Sequence, residues 1–140
     1  MNIIEKSNYY QKTAVDFLEN SNFISALAKF GRVEYEGAYA GKVMLDGDID
    51  IRVVRNEPFE FADSLKLIEA VNELCPDDFR SYYLKADWED PRFGNQFPQG
   101  KYVGFKFLLN DEKWKCDVWL LSEAEHLKVR SSLNIANIEL

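Results

Sequence analysis

Asp48-Ile49-Asp50 sets two carboxylates two residues apart at the head of the β-branched run Ile49 to Arg55, which Gly47 and Pro58 bound. Such a run reads as a strand. Side chains alternate along a strand, so Asp48 and Asp50 share one face while Ile49, Ile51 and Val53 share the other. Carboxylates about 7 Å apart on one face repel each other unless a cation lies between them. A hard divalent ion is the natural neutraliser, and Mg²⁺ commonly combines one or two protein carboxylates with phosphate oxygens. The apolar face anchors the strand in a core and so holds the acids in place.

A third acid stands in the later run Trp114-Lys115-Cys116-Asp117-Val118-Trp119-Leu120-Leu121. Asp117 shares a face with Lys115 and Trp119, opposite Trp114, Cys116 and Val118. An unpaired charge in so apolar a strand costs on the order of several kcal/mol. If this strand lies beside Ile49 to Arg55, Asp117 completes a three-carboxylate cluster able to hold two metal ions. The rival pattern is an EF-hand loop, with Asp46, Asp48, Asp50 and Glu57 at positions 1, 3, 5 and 12. It fails at position 6, where Ile51 replaces the glycine of the sharp turn, and Ile-Arg-Val-Val is strand sequence.

These residues resemble the nucleotidyltransferase fold of the polymerase β-like superfamily. That family shows Gly-[Gly/Ser], a spacer, Asp-x-[Asp/Glu], and a third acid on a later strand. Here Gly37-Ala38 precedes Asp48-Ile49-Asp50 by nine residues, Asp117 follows, and the resemblance spans Val33 to Leu121. Ala38 stands where the family usually carries Ser or Gly, and a hydroxyl contact is lost with it. The resemblance implies a metal-dependent nucleotidyltransferase using Mg²⁺ or Mn²⁺ and a nucleoside triphosphate. Asp48 and Asp50 would hold the ion that travels with the triphosphate, and Asp117 would join them at a second ion and help deprotonate the acceptor hydroxyl. Gly37 and Ala38 would cradle the phosphates, with Lys42 a further phosphate contact or else simply solvated. The acceptor is a small molecule such as an antibiotic, a protein or a tRNA end. The alternative from another class is a catalytically inactive nucleotide-binding or protein-interaction module that keeps the fold.

The elements around these residues form one α+β domain over 1–140, a small mixed sheet flanked by helices, with neither repeat nor linker. Ile3 to Glu19 is predicted helical, with Ile4, Tyr10, Ala14, Phe17 and Leu18 near a 3.6-residue period. Phe23 to Phe30 reads as a second helix closed by Gly31 at its C-terminal cap. Val33 to Gly37 is a short strand, and Gly37 to Gly47 a tight turn or single helical turn. Phe61 to Leu74 is a helix whose apolar stripe is Phe61, Leu65, Ile68, Val71 and Leu74, stopped by Pro76. Arg80 to Trp88 reads as a strand and Trp88 to Gly100 as a loop. Tyr102 to Leu109 and Lys113 to Leu121 form a hairpin through Asn110-Asp111-Glu112. Ser122-x-x-Glu125 is a capping box that opens a last helix.

Composition narrows the partners. The 140 residues carry 24 acids against 17 bases, a net charge of −7, which disfavours a long nucleic acid or an anionic membrane surface. No apolar run is long enough to span a membrane, and no signal peptide is visible. Cys75 and Cys116 make no disulfide framework, so a cytoplasmic location is expected. So small a chain leaves little room for an acceptor domain, and a homodimer or partner chain would complete the cleft. Lys106 and Lys115 either flank the acids or face solvent. Arg92 and the aromatics of Trp88 to Pro98 either meet the substrate or pin their loop. His126 is expected at the surface and Cys116 in the core.

Overall fold

Hydrophobic alternation in the Asp48 run builds the middle of a five-stranded sheet. The computed structural model describes residues 1–75, 79–85 and 99–128. Its strands are β1 (Arg32–Glu36), β2 (Asp48–Arg55), β3 (Phe79–Lys85), β4 (Lys101–Leu109) and β5 (Glu112–Ser122). They lie in the order β1-β2-β5-β4-β3. β2 and β5 run parallel, and the other three pairings are antiparallel. The sheet is therefore mixed, as the sequence predicts.

β4 and β5 are joined by two residues, Asn110 and Asp111, both with positive φ (51° and 63°). That left-handed pair is the geometry of a tight hairpin turn. Glu112, expected in the turn, already belongs to β5.

Helices α1 (Ile3–Asn20), α2 (Phe23–Ala28) and α4 (Phe61–Leu74) cover the apolar face of the sheet. Phe17 of α1 stacks on Phe107 at 4.6 Å between ring centroids, and Phe23 of α2 meets Phe105 edge-on at 5.3 Å. Beneath them lie Ile49, Ile51, Val53, Cys116, Val118 and Leu120, all buried. Cys116 is thus a core thiol as expected. Among the described residues no helix is long and apolar enough to cross a membrane.

Two local expectations change. On α4, Val71 is buried and Ile68 and Leu74 pack against the core as expected, but Ser64 and Leu67 are buried with them while Phe61 and Leu65 stay about half exposed. The cause is rotation of the helix: a 3.6-residue period fits either register, and α2, packed against α4, selects the one that buries Leu67. α2 ends at Ala28 with Lys29 as its cap in right-handed backbone, so Gly31 is not a left-handed C-cap. Its role is close approach, since a Cβ there would lie 2.6 Å from the Val54 carbonyl oxygen.

The other face of the sheet is polar, and its side chains stand in rows across the strands. One row is Asp48, Lys115, Lys106 and Ser81; the next is Glu36, Asp50, Asp117, Gly104 and Tyr83; the third is Glu34, Arg52, Trp119, Tyr102 and Lys85. Helical residues 123–128 cover the third row at Arg52.

Candidate functional site

The site is built where β1 hands over to β2 and β2 meets β5. Glu36 ends β1, and Gly37 turns the chain with a φ of 67° into the single turn α3 (Gly37–Gly41). A β-carbon on Gly37 would collide with Asp50 Oδ2, so the glycine backbone closes over that carboxylate. Ala38 is half-buried and packs on the core. Lys42 caps α3 in the left-handed region (φ 59°), with its side chain exposed.

β2 is aligned with β5 by pairing that begins before the acids. The Gly47 carbonyl accepts a 2.8 Å hydrogen bond from Lys115 N–H. From there Asp48 pairs with Lys115 and Asp50 with Asp117. Because partners in a sheet share a face, Asp48, Asp50 and Asp117 all stand on the polar side. The sequence-derived cluster is thereby brought to one patch, with Gly37 at its β1 edge.

The electrostatics follow from that crowding. Burial, then Asp117 and Asp48, push the Asp50 carboxyl above its ordinary range. Asp48 is also raised, first by burial, with Asp46 and Asp117 adding to it and Lys115 opposing it. Asp117 is held differently. Tyr102 donates its hydroxyl to Asp117 Oδ1, and Lys115 Nζ lies 3.7 Å from Oδ2. The Tyr102 hydroxyl is in turn made less acidic by burial and by that bond. With Asp117 so engaged, the acids do not form a ready-made cage: among the described residues no three His, Cys, Asp or Glu side chains gather into a metal-binding group.

The donor set nevertheless fits a hard divalent cation. All three candidates are oxygen donors, and Asp48 and Asp50 are raised by burial and mutual repulsion. A cation there would relieve the repulsion and compete with Tyr102 and Lys115 for Asp117.

Two cavities flank the acids on the β4 side. The larger, about 520 Å³, is lined by Asp48, Lys106, Lys113, Lys115 and the wall residue Trp114, among others. A smaller one of about 210 Å³ lies between Tyr83 and Tyr102 over Gly104, and shares Lys106 and Lys115 with the first.

Some residues near the site escaped sequence reasoning. His126 is 1% exposed, not at the surface. Its Nδ1 lies 3.3 Å from the Arg52 guanidinium, which also faces Glu36 at 3.6 Å. Burial and Arg52 together lower the His126 pKa. The Ser122 hydroxyl accepts from Glu125 N–H as the capping box requires, but the Glu125 carboxylate accepts from Gln99 N–H instead of closing the box. Tyr102 had one available signal, its place in a strand predicted to neighbour Asp117. Arg92 and the aromatics of 88–98 lie outside the described residues. Compared with protein-family models and with curated proteins, the sequence matches none.

Proposed function

We propose that this chain is a metal-dependent nucleotidyltransferase that moves a nucleoside monophosphate from a nucleoside triphosphate to an acceptor hydroxyl. The observation that supports this reading most is the pairing of Asp50 with Asp117, with Asp48 on the same face and Gly37 packed against Asp50. Asp48 and Asp50 would hold the cation that accompanies the triphosphate, and Asp117 would join them on the acceptor side. Bound Mg²⁺ or Mn²⁺ would supply charge neutralisation at the phosphate oxygens and at the attacking oxygen. Gly37 and Ala38, with Lys42 nearby, would receive the phosphate tail, a role carried over from the family resemblance. Asp117 would orient the acceptor hydroxyl and take its proton as the oxygen attacks the α-phosphorus in line. The α–β phosphoanhydride bond breaks and pyrophosphate leaves.

The direct test incubates the full chain with each labelled triphosphate, Mg²⁺ or Mn²⁺ and candidate acceptors, and measures pyrophosphate. Metal-dependent release that Asp50→Asn abolishes is the expected result. A second reading, a nucleotide-binding module without turnover, draws support from Ala38, which offers no hydroxyl, and from the engagement of Asp117 by Tyr102 and Lys115. It predicts triphosphate binding with no pyrophosphate from any acceptor.

A further inference from the structure

Lys106 and Lys115 are directly opposed partners across antiparallel β4 and β5, on the polar face of the sheet. Like charges in that relation destabilise a strand pair. Lys115 has some relief from Asp117 at 3.7 Å, but Lys106 makes no ion pair among the described residues. A third lysine, Lys113, lines the same 520 Å³ cavity. Three lysines, whose ammonium groups are all donors, thus line one space beside the acids.

We propose that this cavity binds an anionic acceptor, whose phosphate or carboxylate group seats on Lys106 and Lys115 while its hydroxyl is presented to Asp117. This rests on the nucleotidyltransferase reading and narrows its substrate class. The placement distinguishes donor from acceptor. Gly37 meets Asp50 on the β1 side, where the proposed function seats the triphosphate tail, whereas Lys106 stands across the acids on β4. An oxyanion between the lysines removes their mutual repulsion and forms charge-assisted hydrogen bonds. Leu108, 42% exposed on the same face, gives the cavity an apolar edge for the body of a small molecule.

The test titrates inorganic phosphate into the isotope-labelled full chain at constant ionic strength and follows backbone amide resonances. Saturable shifts centred on Ser81, Lys106 and Lys115 are expected. Lys106→Gln should weaken binding about tenfold, the loss of one hydrogen bond to a charged group, while Lys66→Gln on α4 leaves it unchanged. A second arm repeats the titration with Mg²⁺ and a non-hydrolysable triphosphate analogue, whose own binding is measured separately. Phosphate binding that persists beside bound analogue supports the proposal. Displacement of phosphate by the analogue overturns it, because the lysines then grip the donor. Absence of saturable phosphate binding while the analogue binds overturns the anionic acceptor and leaves the proposed function standing. Phosphate binding at Lys106 with no analogue binding anywhere overturns the function and, with it, the acceptor role.

Discussion

Gly37 and Asp50 are in van der Waals contact so tight that no side chain fits between them: a β-carbon on Gly37 would overlap Asp50 Oδ2. The glycine also adopts a φ of 67°, a conformation costly to any residue with a β-carbon. Turn and carboxylate are therefore one unit, and whatever moves the turn moves the acid.

Gly37→Ala should both strain the backbone and push the Asp50 carboxylate aside. A stability loss of about 1–3 kcal/mol is expected, seen as a lower melting temperature. The divalent-metal response should shrink along with it. Ala40→Gly destabilises the same short helix without crowding Asp50, and should keep the metal response.

Divalent metal should stabilise the fold by mass action, because Asp48 and Asp50 crowd each other and Asp117. Thermal melts in Mg²⁺ or Mn²⁺ should exceed those in chelator. Asp50→Asn should invert the picture. Its folded carboxyl is raised, so at neutral pH the charged form costs the native state free energy that protonation or amidation removes. In chelator the variant should melt higher, by about 4 °C if the gain is near 1 kcal/mol, and should lose the metal shift. Equal melts for wild type in metal and in chelator would leave the acids as strand-end charges.

Asp117→Asn separates binding from chemistry. The amide keeps the shape and still accepts from Tyr102, but it loses the charge that serves the acceptor side. Turnover should fall by about two orders of magnitude or more, with triphosphate affinity reduced only modestly. Asp50→Asn should damage both. Near wild-type turnover in Asp117→Asn would make the third carboxylate structural.

Stability should fall as the solution is acidified, through His126. Its folded pKa lies below the unfolded value because burial and Arg52 disfavour the imidazolium, with Glu34, Glu36 and Glu123 pulling weakly the other way. The unfolded chain therefore takes up the proton first. His126 contributes its full stability above about pH 6.5, and this is lost progressively as pH drops below that value. Urea denaturation midpoints from pH 7.5 to 5.5 should fall more steeply in wild type than in His126→Gln.

What could be read from the residues alone was whatever depends on local period. The alternation of Asp48–Arg55 and of the Trp114 run located β2 and β5, and the turn residues Asn110 and Asp111 located the hairpin. The shared face of Asp48, Asp50 and Asp117 was legible too, conditional on strand adjacency. Relations set by register or packing were not. That Lys106 faces Lys115, or that Tyr102 reaches Asp117, depends on how the β4–β5 hairpin is aligned. His126 looked like an exposed helical residue because its partner Arg52 is remote in sequence and sits on a different element. Only the first half of the α4 stripe moved, for a related reason: Phe61 and Leu65 are as apolar as Leu67, and the neighbouring helix chooses among them.

The parallel pairing of β2 with β5 has a consequence for how the protein assembles. β4 and β5 are joined by a two-residue turn and can zip together locally, but β2 reaches β5 only after the intervening strands and α4 have been bridged. Closing so long a loop carries an entropic penalty that the hairpin avoids, so non-local parallel pairing is slow. Asp48 and Asp50 should thus meet Asp117 late in folding, after the hairpin that carries Asp117 has formed. Until then β2 has an unpaired edge, the feature most prone to intermolecular association. In refolding from denaturant, metal responsiveness should return after hairpin structure, and aggregation should compete with that last step.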